Sequence, residues 1–345
     1  MSKLIVASVS PGTSVQDIGR FGAQRYGLVP SGAVDRLAMA AANALLGNPL
    51  FAATLELGPL NSVFTAKGGA VRVALTGALR PADVAGTLFA VNTTVTLADG
   101  ESLNIGVARS GTFGYLAIEG GVRGEPMFGS LAVNARAGLG SPYPRPLQAA
   151  DELLVATASA MTEKRIELPN PAEGPIRVVL GPQDDEFAEG KDLFFNSDWK
   201  ISATSDRMGY RLEGPEIKHL HGHNIVSDGT VNGSIQIPGN GQPIVLMPDR
   251  GTSGGYPKIA TVISADLGRF GQTQPGMPFR FKAVSMAEAQ AAYRAYAELL
   301  QSLPGRVHDS NILMLDIKAL LNANVAGTAI DATNDATWQA AAANS

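Results

Sequence analysis

Near the start of the chain, Pro11-Gly12-Thr13-Ser14-Val15-Gln16-Asp17-Ile18-Gly19-Arg20 runs on to Ser31-Gly32-Ala33-Val34-Asp35. The glycines permit tight turns, which leave Gln16, Asp17, Arg20 and Asp35 as the groups with chemical capacity. A carboxylate beside a guanidinium can aim it at an anionic substrate or handle a proton. The same pair can equally be an ion pair that pins a loop.

Two further stretches carry comparable chemistry. In Ser205-Asp206-Arg207-Met208-Gly209-Tyr210-Arg211-Leu212 a carboxylate stands between two guanidinium groups, so Arg207 or Arg211 could grip a substrate carboxylate while Asp206 orients the fork. An ion-pair network at a turn accounts for the same residues. In Asp249-Arg250-Gly251-Thr252-Ser253-Gly254-Gly255-Tyr256-Pro257 the glycines could present backbone N–H groups to an oxyanion, with Thr252 and Tyr256 beside them. The stretch lacks the Gly-Lys-Ser/Thr ending of a P-loop, and glycine-rich turns between strands also arise for conformational reasons alone. His219, His221 and His223 alternate and would share one face of an extended segment, yet no carboxylate stands among them, so no metal site is expected. A serine hydrolase is not expected, because the four histidines leave few candidates for a general base.

These groups must be placed by turn-rich β structure. The chain has 39 glycines and 21 prolines in 345 residues, with β-rich runs between them, which argues for a mainly β architecture. Strands are expected over Ala70–Leu75, Ile176–Leu180, Ser234–Ile237, Pro243–Met247, Ile259–Ile263 and Phe279–Val284. In Ser234-Ile235-Gln236-Ile237 the period of two sets both isoleucines on one face and turns Gln236 toward a cleft. Helices are expected from an N-cap at Ser31 to about Leu46, from the Ser285/Glu288 capping box to about Leu303, and over Asn311–Leu321. The proline-rich stretch Thr162–Pro175 reads as a linker, which divides the chain into residues 1–165, 175–303 and a helical tail, 304–345.

Composition narrows the functional classes. With 45% hydrophobic and 17% charged residues the chain is a folded protein, and a net charge of −4 with scattered Lys and Arg offers no surface for nucleic acid. No apolar run is long enough for a membrane helix or a signal-peptide core, so a cytoplasmic protein is expected. The absence of cysteine removes disulfides, thiolate nucleophiles and cysteine metal sites.

Taken in order, the opening block, Ala42-Asn43-Ala44-Leu45-Leu46-Gly47-Asn48, Leu55-Glu56-Leu57-Gly58-Pro59, Gly181-Pro182-Gln183, Ser205–Leu212, Gly233-Ser234-Ile235-Gln236-Ile237-Pro238 and Asp249–Pro257 resemble the family of 5-oxoprolinase C subunits. That family is also known as allophanate hydrolase subunit 2 or biotin-dependent carboxyltransferase-like, and includes the antagonist of the sporulation-kinase inhibitor. One stretch departs from the pattern: Leu131-Ala132-Val133-Asn134-Ala135-Arg136 replaces the usual short segment after Gly129-Ser130.

The resemblance implies two cyclophilin-like β-barrel domains and a few helices. It further implies a polypeptide that works with the A and B subunits of 5-oxoprolinase to convert 5-oxoproline to glutamate with ATP, whichever of them binds the nucleotide. Two alternatives accompany it: the carboxyltransferase subunit of a biotin-dependent urea or amide carboxylase, and a non-catalytic regulator that binds a kinase-inhibitor partner. No biotin-attachment Ala-Met-Lys-Met sequence and no recognisable ATP-binding domain occur in the chain, so partners must supply those functions. On this reading Asp17, Arg20, Asp206 and Gln236 are the catalytic candidates. Gln16, Asp35, Ser205, Arg207, Thr252, Gly254, Gly255 and Tyr256 are the substrate-binding ones, with Asn43 and Glu56 as weaker candidates that could equally tie the first helix to the barrel.

Overall fold

The structure, a computed structural model, describes residues 2–187 and 190–310. It is mainly β with few helices, as expected. In the first half, a six-stranded sheet carries Ser2–Ser8 between Glu152–Val155 and Ser62–Lys67. A seven-stranded sheet carries Val71–Leu79 between Ser110–Ile118 and Thr93–Leu97. The period-two pattern of Ser2–Ser8 turns Leu4 and Val6 inward, where they meet Phe64, Leu55, Leu75 and Leu116 between the two sheets. Each such fully buried side chain contributes about 1.5–3 kcal/mol relative to exposure.

The second half is built on one eight-stranded sheet. Its two outermost strands, Pro278–Phe279 and Phe281–Ala283, are neighbours in sequence, separated by Arg280 alone. The sheet therefore curls until its ends nearly meet. This corrects the expectation of one continuous strand over Phe279–Val284: the chain breaks at Arg280 so that one piece pairs with Trp199–Ile201 and the other with Ile176–Leu180. Ile176–Leu180 has the expected bounds, and Ser234–Gln236, Ile244–Leu246 and Lys258–Val262 fall where strands were expected. The barrel interior holds Trp199, Phe194, Phe270, Ile235 and Ile237.

Helix α1 (Arg36–Leu45) lies on the outer face of the seven-stranded sheet, where its alanines pack against Ala74, Ala117 and Tyr115. Its N-cap is Asp35, whose backbone is extended and whose side chain accepts from Ala38 N. The expected cap, Ser31, has instead a φ of 55° and precedes Gly32 at 90°, because the chain must turn sharply there past the backbone of Ile18. Helices α2 (Gly190–Asn196) and α3 (Leu267–Gly271) belong to the second half. Helix α4 (Met286–Ser302) opens on the expected Ser285/Glu288 capping box. Within the stretch read as a linker, Lys164–Ile166 forms a strand. Of the tail, Val307–Asp309 pairs with that strand at the rim of the seven-stranded sheet, while the helix expected over Asn311–Leu321 lies outside the described residues.

Candidate functional site

A cleft of about 750 Å³ opens between the two halves. One wall is the opening block at Gly12 and Ser14 together with Val133, Asn134 and Arg136; the other is the Thr204–Gly209 turn with Asp249 and Gly251. The divergent segment 131–136 thus forms part of the cleft wall. Asn134 caps the short helical turn Ala135–Ala137 and donates to Ser31 Oγ at 3.1 Å.

Arg207 stands at the base of this cleft. Asp206 Oδ1 accepts from Met208 N at 2.8 Å and from Gly209 N at 3.3 Å, a side-chain turn that leaves Asp206 at the rim and sends Arg207 inward. There the guanidinium donates from Nε to Asp249 Oδ2 at 2.8 Å, from Nη2 to Gly32 O at 2.8 Å, and from Nη1 to Glu56. Burial works against its charge, but Asp249 and Glu56 outweigh it and hold the guanidinium more firmly protonated than an ordinary arginine. Glu56 Oε2 also accepts from Val34 N at 2.8 Å and from Tyr115 OH at 2.7 Å. Burial, followed by the charges of Glu56 and Asp35, pushes the Tyr115 phenol well up.

The same network continues through Asp35. Tyr115 OH accepts from Asp35 N at 2.7 Å, and Gln272 Nε2 donates to Asp35 Oδ2 at 3.0 Å. Gln272 Oε1 in turn accepts from Thr112 N and Phe113 N. Burial raises the Asp35 carboxyl, opposed by the Gln272 and helix N–H bonds. Asp35 therefore serves as a helix cap and a strut between the halves.

Asp17 and Arg20 sit beside the cleft wall and do not pair directly. Asp17 accepts from Gly19 N at 2.8 Å, Ser130 Oγ at 2.7 Å and Leu131 N at 2.7 Å, so it fastens the opening block to the segment that departs from the family pattern. Arg20 is 1% exposed. Its Nη2 donates to Ala132 O, while Nε and Nη1 have no hydrogen-bond partner among the described residues. Burial lowers its proton affinity, and the charges of Asp17 and Asp249 act against that. Gln16 Nε2 donates to Val133 O at 3.1 Å, and its buried Oε1 is likewise unpartnered among the described residues.

The remaining candidates gather at a second polar centre on the later barrel. Gln236 is buried, and its Nε2 reaches Tyr256 O only at 3.5 Å. Gly254 packs so close that a Cβ there would lie 2.4 Å from that nitrogen. Thr252 and Gly255 contribute backbone carbonyls to Thr230 N and Ile225 N, and the Tyr256 side chain is partly exposed. Ser205 lies apart from this centre, on the Thr204–Gly209 turn, where it exchanges hydrogen bonds with the Arg211 backbone. Gly251, which lines the cleft, accepts from Thr230 Oγ1 at 2.6 Å, so one loop joins the two centres.

Several polar residues carry no signal in the sequence. Asp249 is there only the start of a glycine-rich run, and Tyr115, Gln272, Asp228 and Lys258 belong to no motif at all. Among the histidines, His219 Nε2 lies 2.9 Å from Ile237 O with its ring against Phe187, His221 Nδ1 lies 3.1 Å from Glu186, and the His223 ring packs on Gly239. No helix of the described residues is long and apolar enough to cross a membrane.

Comparison with known proteins places these features in a lineage. Residues 26–283 match the profile of the carboxyltransferase domain, subdomain A and B. The chain is 35% identical over 315 residues to the 5-oxoprolinase C subunit of Escherichia coli, covering 90% of this chain and 100% of that one. It is 32% identical over 307 residues to the 5-oxoprolinase C subunit of Haemophilus influenzae, covering 89% and 99%. Among solved structures, the urea amidolyase of K. lactis superposes with a TM-score of 0.80 at 26% identity over 92% of this chain, which spans 20% of that larger protein.

Proposed function

The chain belongs to the family of 5-oxoprolinase C subunits, built on the carboxyltransferase A and B subdomains, and from that premise we propose that it is the C subunit of an ATP-dependent 5-oxoprolinase. The observation that carries the reading is the span of the matches: the bacterial subunits are covered along 100% and 99% of their length, whereas the urea amidolyase is covered along 20%. The chain works with the A and B subunits, in the cytoplasm, and ATP consumed by the complex supplies the driving force for opening a resonance-stabilised lactam.

In this reading the cleft and the loop leading from it bind and orient 5-oxoproline. Arg207 has its donors engaged by Asp249, Glu56 and Gly32, so it sets the shape of the cleft base. Arg20, with two unpartnered nitrogens among the described residues, is the better suited of the two to receive an anionic part of the substrate. Asp17 holds the loop that carries Arg20. Asp206, exposed at the rim, is placed to handle a proton, and Gln236 with the Gly254-Gly255 segment faces the polarised oxygen. A division into residues 1–165 and 175–303 draws support from the two hydrophobic cores, the second of which takes only Val34 of its buried members from the first half.

The K. lactis likeness supports a second reading, a carboxyltransferase that receives a carboxyl group from a biotin-bearing partner. Reconstitution separates the two. The chain alone is expected to form no glutamate from 5-oxoproline, and ATP-dependent glutamate formation is expected only after mixing with the A and B subunits. Arg20→Ala in that mixture should cost about two orders of magnitude in rate, about 3 kcal/mol of barrier, with assembly and melting intact. Turnover by the isolated chain, or a complete mixture active only with bicarbonate and a biotinylated partner, refutes the reading.

A further inference from the structure

Lysine is almost never fully buried unless its charge is met. Lys258 is 3% exposed, and its Nζ donates to Asp228 Oδ2 at 2.9 Å. The two partners are unequal: the Asp228 side chain is 53% exposed against 4% for the lysine. Lys258 belongs to a strand of the eight-stranded sheet, whereas Asp228 sits on a two-residue strand, Asp228–Gly229, paired only with Ser253–Gly254 among the described residues. The ammonium is buried in the sheet, while its counter-ion stands largely in solvent.

The surroundings of Lys258 are built around it. Gln236 is its partner across the sheet, at a bulge, which re-aims side chains locally. Gln183 Oε1 accepts from Lys258 N at 3.1 Å, and its side chain also bonds Asp228. Gly181 lies against the Lys258 carbonyl so closely that a Cβ would fall 2.0 Å from the oxygen. A buried cation beside a buried carboxamide that has, among the described residues, only one long hydrogen bond, closed by an exposed carboxylate, is the arrangement of an anion site occupied by its own chain.

We propose that Lys258 and Gln236 form a subsite for an anionic oxygen of carboxylate type, and that Asp228 fills it until a ligand carboxylate displaces it. The ligand chemistry follows from what Asp228 already shows the site accepts. Resting on the 5-oxoprolinase reading, the group received there is the carboxylate into which the lactam carbonyl is converted, the γ-carboxylate of glutamate. Asp228 keeps the lysine paired when no ligand is present, so the site opens without exposing an unpaired buried cation.

Thermal shift of the full chain with added sodium acetate or L-glutamate, against sodium chloride at matched ionic strength, tests this. Asp228→Ala and Asp228→Asn should both bind acetate and glutamate at least about tenfold more tightly than the parent protein, and Lys258→Met should lose the response. If acetate follows that order and glutamate binds no better than acetate, the subsite stands and the 5-oxoproline assignment falls. If cooperatively melting Asp228→Asn protein responds to neither carboxylate more than the parent does, or Lys258→Met responds equally, the subsite is refuted.

Discussion

Arg207 illustrates how a residue's type can be legible while its role is not. A guanidinium beside two possible fork partners suggests a substrate grip, but its partners come from afar: Asp249 lies 42 positions away and Glu56 lies 151. No local pattern joins residues at that separation. Lys258 leaves even less trace, being a single lysine in an apolar run whose burial only the curled sheet creates. The two ion pairs of Arg207 give it a large structural stake. Arg207→Met leaves Glu56 and Asp249 buried without their cation and is expected to destabilise the protein by about 3–5 kcal/mol in urea unfolding. Adding Glu56→Gln and Asp249→Asn to Arg207→Met should recover much of that loss. If Arg207→Met alone unfolds at the parent's urea midpoint, the network is not structural.

At the level of elements, the sequence is informative wherever the cause of structure is local. The capping box of α4 and the bounds of Ile176–Leu180 follow from neighbouring residues, and both are legible there. The start of α1 and the break at Arg280 depend on where distant backbone runs, and at both the local pattern misleads. Helix α3 shows an electrostatic lock of the same long-range kind. Asp266 is buried just before it, and takes three bonds from Arg177 at 2.6–3.1 Å and one from Arg269 at 3.0 Å. Burial alone would raise its carboxyl, but the Arg177 and Arg269 bonds prevail and hold it below the ordinary carboxylate range. A carboxyl depressed on folding stabilises the protein above its unfolded pKa, and the contribution fades as pH falls through the folded one. The stability gap between the parent and Asp266→Asn should therefore hold steady above about pH 5 and narrow as pH falls from there toward about pH 2. A gap constant across that range would show that the carboxylate charge contributes nothing.

For the whole molecule, the two halves meet through the Arg207 bonds to Glu56 and Gly32 and through a second seam at α3. Gly271 of α3 lets Val34 of the first half enter the second barrel's core; a Cβ there would lie 2.2 Å from Val34 Cγ1. Gln272, next in sequence, carries the hydrogen bonds to Asp35, Thr112 and Phe113. Gly271→Ala should loosen this seam, lowering the melting temperature and speeding proteolysis within 167–175, while each barrel keeps its own protected amides in hydrogen exchange. Uniform loss of protection throughout would mean that the halves fold as one cooperative unit. The pairing of Val307–Asp309 with Lys164–Ile166 adds a constraint of a different order, that of time. A ribosome finishes the first barrel's other strands long before it reaches residue 307. At about 5–20 residues per second the rim strand waits uncovered for on the order of ten seconds or more. During translation that bare edge is open to pairing with a neighbouring nascent chain, and Lys164 and Arg165 upon it are the charges that would discourage such a partner.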